Sequence, residues 1–151
     1  MAMQSNDSAI SQLNDLIETC RDGQEGFRLA AEGAKDSELK VLFQQFSQQR
    51  ANFSNELAAE VRRLGGNPEN SGSLSGAVHR GWINIKSAVT GGDDDAIISE
   101  CERGEDVAKA AYQKVDYAAL PGPAAEVVRR QAAEVRATHD RVRALEKAHQ
   151  S

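Results

Sequence analysis

The sequence predicts an all-α chain folded as a single four-helix bundle over residues 1–151, and three observations carry that prediction. Apolar residues recur at alternating three- and four-residue steps through four long segments. Turn-forming residues separate these segments, at Gly65-Gly66-Asn67-Pro68, at Thr90-Gly91-Gly92 and at the Pro121/Pro123 pair. Only three prolines occur, so long helices can run without interruption.

The first long helix is expected over about 8–34, with Asp7 or Ser8 accepting from the free N–H groups of its first turn. Its seam is Ile10, Leu13, Ile17, Cys20, Phe27, Ala31 and Ala34, with Gly23 and Gly26 letting a neighbour approach closely. Asp36 or Ser37 caps the second, about 38–64, whose seam runs Leu39, Leu42, Phe43, Phe46, Phe53, Leu57, Val61 and Leu64. The short connection between them makes the pair antiparallel neighbours. A polar stretch then leads into a short helix over about 75–89, with Val78, Trp82, Ile85 and Val89 on one side. Asp93-Asp94-Asp95 opens the third long helix, about 95–119, because carboxylates favour the positive end of the helix dipole. Its seam is Ile98, Cys101, Ala108, Tyr112, Val115 and Ala119; the fourth helix, about 123–148, starts at Pro123 and carries Val127, Val128, Val135, Val142 and Leu145.

Length sets the topology. A link that traverses a helix of about 25 residues must span roughly 37 Å at about 1.5 Å per residue, and the segment between the second and third long helices is ample for that. The second and third helices then run parallel, in the ferritin-like arrangement with one long crossover containing a short extra helix.

Composition narrows the function classes. A net charge of −5 with dispersed basic residues argues against a nucleic-acid partner. No segment is apolar for long enough to cross a bilayer, and the N-terminus lacks the basic-then-apolar pattern of a signal peptide. Cys20 and Cys101 lack metal-ligand spacing and lie on apolar seams, which fits buried thiols and a reducing cytoplasmic setting. A homo-oligomer is left open.

Several motifs carry a resemblance. Leu13-Asn14-Asp15-Leu16-Ile17-Glu18-Thr19-Cys20 followed by Asp22-Gly23-Gln24-Glu25-Gly26-Phe27, then His79-Arg80-Gly81-Trp82 and Glu100-Cys101-Glu102-Arg103-Gly104-Glu105-Asp106, resemble an uncharacterised, mainly proteobacterial family of ferritin-like four-helix bundles, a domain of unknown function. The resemblance spans nearly the whole chain. It implies a ferritin-like fold and no established activity.

Ferritin-like di-iron centres draw carboxylates from four helices and use Glu-x-x-His on two of them. Here Glu146-Lys147-Ala148-His149 is the one such spacing and sits at the chain end, while His79 and His139 have no glutamate three residues before them. The seam gaps instead point to a central polar layer: Gln24 between Cys20 and Phe27, Arg50 between Phe46 and Phe53, Glu105 between Cys101 and Ala108, and Gln131 and Thr138 around Val135. A guanidinium there supplies the volume and positive charge of a metal and pairs in bidentate fashion with Glu105. The expectation is therefore no cofactor and a structural, assembly or stress-associated role, more simply non-enzymatic.

The alternative is an oxidoreductase holding iron or another divalent metal through Glu25, Glu56, Glu102, Glu105, Glu134 and His139, with Glu18 and Glu60 as alternates. A third reading is a protein-interaction module on the crossover helix, using Trp82 and His79. Weighed against that, Trp82 reads first as the anchor of this helix on the bundle, and His79 as a hydrogen-bonding flank residue. The Asp93-Asp94-Asp95 run lacks the spaced ligands of a calcium loop, and Ser71-Gly72-Ser73 lacks the lysine of a phosphate loop.

Overall fold

The computed structural model describes residues 2–68 and 81–150, with side chains from Asn6 to His149 within those ranges. Among the described residues it is all-helical: α1 (Ala2–Gly33), α2 (Ser37–Arg63), α3 (Ile85–Gly91), α4 (Asp94–Gln113) and α5 (Gly122–Gln150), with a 3₁₀ turn at Tyr117–Ala119. None of these helices is long and apolar enough to cross a membrane.

Three boundaries depart from the sequence expectation. The first helix begins at Ala2, so Asp7 and Ser8 lie inside it and do not cap it; no glycine or proline stands upstream to stop the helix. The third long helix ends at Gln113 and does not reach Ala119. There Asp116 Oδ1 accepts from the Ala118 N–H at 3.1 Å and tightens the chain into the 3₁₀ turn, competing with the helix for the same backbone. A short helix is expected over 75–89, and α3, at Ile85–Gly91, overlaps that span only at 85–89. Gly81 sits at φ +97°, and Trp82 precedes the first helical turn; the earlier part of that expectation, with His79, lies outside the described residues.

Local chemistry accounts for the other ends. Asp36 caps α2 by accepting from the Glu38 N–H at 2.8 Å. The α2 C-terminus closes with Gly65 at φ +89° and the Gly66 N–H returning to the Val61 carbonyl at 2.9 Å. Lys40 Nζ donates to the Ala31 and Glu32 carbonyls, satisfying the exposed end of α1. Asp93 caps α4 through the Asp95 N–H at 3.0 Å.

α1 packs on α2 and α4, and α5 packs on α4 and α2, while α3 rests on α1 and α4. Direction follows from two contacts. The Asp94 carboxylate accepts from the Lys35 and Asp36 N–H groups at 2.8 and 3.1 Å, so α4 begins at the α1–α2 turn. Gln12 exchanges two hydrogen bonds with the Asp116 backbone, so the chain leaving α4 meets the start of α1. α4 is therefore antiparallel to α1 and parallel to α2.

The apolar interior is in two parts. One holds Leu13, Ile17, Phe53, Leu57, Val61, Val128 and Val135; the other holds Phe27, Phe43, Trp82, Ile85, Ile97, Ile98 and Val142. Polar side chains divide them.

Candidate functional site

The dividing layer is built on an ion pair between α2 and α4. Arg50 Nη2 donates to Glu105 Oε2 at 2.8 Å, and Nη1 lies 2.7 Å from Oε1, with the two side chains 1% and 0% exposed. Burial penalises the guanidinium charge, but the facing carboxylate outweighs it and holds Arg50 above its ordinary range. Arg50 Nε donates to Gln49 Oε1 at 3.1 Å, which also accepts from Thr138 Oγ1 at 3.3 Å. The guanidinium stands 5.6 Å from the centre of the Phe27 ring, a cation–π distance.

Space for Arg50 comes from α1. A Cβ on Gly23 would stand 3.2 Å from Nη1 and 3.3 Å from Cγ, so the arginine lies against bare backbone there. This corrects the expectation for Gln24. Its side chain is only half-buried, and what it contributes to packing is a backbone carbonyl that accepts from Ser47 Oγ at 2.8 Å. A turn of 100° per residue separates Gly23 from Gln24, and the chain places the glycine inward.

A second polar chain runs beside the first. Tyr112 Oη donates to Gln131 Oε1 at 2.8 Å and stands 3.2 Å from Cys20 Sγ. Gln131 Nε2 donates to the Phe53 carbonyl and to Glu56 Oε1, and Arg130 holds the other Glu56 oxygen at 2.7 Å. Burial pushes the Cys20 thiol up to about 11, partly opposed by the Tyr112 contact, so it stays protonated and unreactive at neutral pH. Cys101 is likewise raised by burial, and both cysteines are free.

Sequence reasoning placed Arg50, Glu105, Gln131 and Thr138 near one level and read Gly23 as a point of close approach, but missed Gln49 and Tyr112 as members of the layer. Tyr112 carried a signal, since a seam tyrosine needs a partner for its hydroxyl. Gln49 carried none.

The residues of the metal alternative are not brought together. Glu25 is held by Arg28 on the surface; Glu56 and Glu134 both face Arg130; Glu105 faces Arg50. His139 is buried with Nε2 2.6 Å from Asp106 Oδ1, and Glu102 shares a hydrogen bond with Glu146. Among the described residues, no group of three or more His, Cys, Asp or Glu side chains stands where it could hold a metal. The donor set of a di-iron centre does not fit this interior, where a lone carboxylate already faces a cation.

Trp82 is the other feature of this level. Its ring is 2% exposed and wedged between α1 and α4: a Cβ on Gly26 would fall 2.2 Å from Cδ2, and one on Gly104 would fall 2.1 Å from Cε2. Phe27 meets the ring edge-on at 4.9 Å. The Asn84 N–H donates to the buried Glu100 carboxylate at 2.8 Å and ties down the same segment. Trp82 is therefore an internal anchor, in line with its first reading from the sequence, and its alternative placement as a partner-facing residue is corrected.

A family model described as a domain of unknown function, DUF2383, matches residues 8–116. The chain belongs to this family. The family span takes in Gly23, Gly26, Arg50, Trp82, Gly104 and Glu105, and so contains both the ion pair and the tryptophan wedge; α5, with Gln131 and Thr138, lies beyond it. No curated protein matches the chain.

The α4–α5 seam makes a separate prediction. Glu102 faces Glu146 and, with Asp106 nearby, is pushed up to about 7, chiefly through the hydrogen bond to Glu146, then burial and like charge. Asp95–His149, Ser99–Glu146 and Asp106–His139 are the neighbouring contacts across this seam, and Arg143 stands beside the two glutamates. A carboxyl whose folded value is raised contributes stability that is present at low pH and lost as pH rises through about 7. Thermal melts between pH 5 and 8 should show wild type losing ground to Glu102→Gln as pH rises. Parallel profiles would mean the two carboxyls do not share a proton.

Proposed function

We propose that this chain is a ferritin-like four-helix bundle with one crossover, in which an Arg50–Glu105 pair occupies the place of a metal centre, and that it serves a structural or assembly role without a resident metal. The observation that carries the reading is the ion pair itself. A guanidinium–carboxylate ion pair with both partners buried, joined by the Arg50 Nη2–Glu105 Oε2 hydrogen bond, fills the interior between the two apolar clusters. The Arg50 guanidinium repels a second cation, and of the remaining acids of the metal alternative Glu25 faces Arg28, Glu56 and Glu134 face Arg130, and Glu102 is hydrogen-bonded to Glu146.

The parallel direction of α2 and α4 supports the one-crossover topology. Two buried free thiols with no cysteine partner suit a reducing cytoplasmic setting. Any stress-associated role rests on analogy with other small ferritin-like bacterial proteins.

Elemental analysis of protein purified from iron-supplemented and from zinc-supplemented cultures tests the reading. Far less than one metal per chain is expected in both. One or two equivalents that survive desalting, and that disappear in Glu105→Leu, would return the metal-dependent oxidoreductase to first place.

A further inference from the structure

The large apolar side chains left exposed among the described residues are Val41 and Ile83. Ile83 stands alone beside the Trp82 anchor. Val41, 52% exposed, belongs to a patch: with Leu39, Leu42, Leu145 and Ala148 it lines an open groove between the first turns of α2 and the last turns of α5. Glu38 and Arg141 lie on its rim.

Register along the bundle places these groups. Gln49 Oε1 meets Thr138 Oγ1, which sets α2 against α5 at that level. About seven residues further along each helix, in opposite chain directions, Val41 and Leu42 come level with Leu145. Glu38 then stands about one turn to one side of this level, and Arg141 about one turn to the other. Neither side chain has an ion-pair partner among the described residues, whereas Arg28 and Arg130 each face two carboxylates.

An apolar centre flanked at similar distances by an unpaired anion and an unpaired cation is self-complementary. A two-fold axis perpendicular to the helices at Val41 lays apolar residues on their own copies and sets Glu38 of each chain against Arg141 of the other, twice. We infer that this α2–α5 groove is a homodimer interface whose occupant is a second copy of the chain, docked antiparallel. The inference rests on the assembly part of the reading above and names its partner and its face.

Sedimentation velocity on the full chain over a concentration series tests it, with circular dichroism confirming the fold of each variant. Wild type should approach twice the 16.3 kDa chain mass as concentration rises. Val41→Glu should remain a single chain throughout. Glu38→Arg and Arg141→Glu should each weaken association by about tenfold or more, and the double reversal should recover most of it, because the crossed pairs are rebuilt with opposite sign. A wild type that stays single at every concentration overturns the second copy as occupant. A Val41→Glu variant that associates like wild type overturns the face, and a double reversal no better than either single change overturns the two-fold register. All three leave the metal-free interior standing, since metal content is read on separate samples; metal retained by a protein that dimerises as described would sink that reading alone.

Discussion

Arg50→Met is expected to cost about 3–5 kcal/mol of unfolding free energy, because it leaves the Glu105 carboxylate buried against apolar neighbours with no counter-charge. For a chain of this length that is a fall in Tm on the order of 10 °C. Glu105→Leu should cost a similar amount, since the stranded guanidinium is equally dry. The double variant Arg50→Met/Glu105→Leu removes both charges together and should regain most of the midpoint in urea, as buried pairs often contribute little net stability over well-packed apolar residues. What it should not regain is a single register: the pair fixes α2 against α4 through a directed hydrogen bond and an ion contact, and methionine and leucine direct nothing. A shallower urea transition with reduced m-value is the expected sign. Single variants that lose less than about 1 kcal/mol would show that the pair is hydrated, as a surface pair is. A double variant that melts and assembles as wild type does would remove the register role. Arg50→Lys separates charge from shape, because it keeps the cation and loses the fork, and an intermediate loss is expected.

Gly104→Ala is expected to destabilise the bundle by about 1–3 kcal/mol, although alanine is the better helix former by nearly 1 kcal/mol. The added carbon would stand 2.1 Å from the Trp82 ring, whose other face meets Gly26 at an equivalent 2.2 Å, so the ring has no room to retreat. Trp82 must leave its slot or the two helices must part. Since it is the only tryptophan, its fluorescence reports the outcome directly: a red-shifted emission is expected for Gly104→Ala and for Gly26→Ala. Gly91→Ala is the matched control, because nothing lies within 4 Å of its added carbon. Unchanged emission and stability in both wedge variants would mean that the indole is loosely held.

These two sites were legible in the sequence to different degrees. Arg50 and Glu105 could be read because each fills a gap in an otherwise apolar seam, and a charge at a seam position must find a partner inside. The Gly26–Trp82–Gly104 contact could not, since its three members come from segments remote in the chain. Helical periodicity reports which way a side chain points and says nothing about what waits there. Gln24 shows the same limit. The seam step admitted either Gly23 or Gln24, and a sequence pattern that rewards polar atoms in a polar layer favours glutamine, whereas the packed bundle needed an absent side chain beside a large one.

Sequence alone determined the all-helical class, the four long apolar seams, a cap at Asp36 or Ser37, a helix start in the Asp93-Asp94-Asp95 cluster and the stop after Leu64, since each depends on residues within one or two turns of one another. Only the tertiary structure decided that Asp94 caps a different helix turn, that Tyr112 and Gln131 join Cys20 to Glu56, and that Trp82 lies between Gly26 and Gly104. The physical reason is range. Capping and periodicity act through the backbone over a few residues, but the close approach of α1, α2 and α4 depends on volumes removed from one helix and added to another. That sum is settled only when the helices meet.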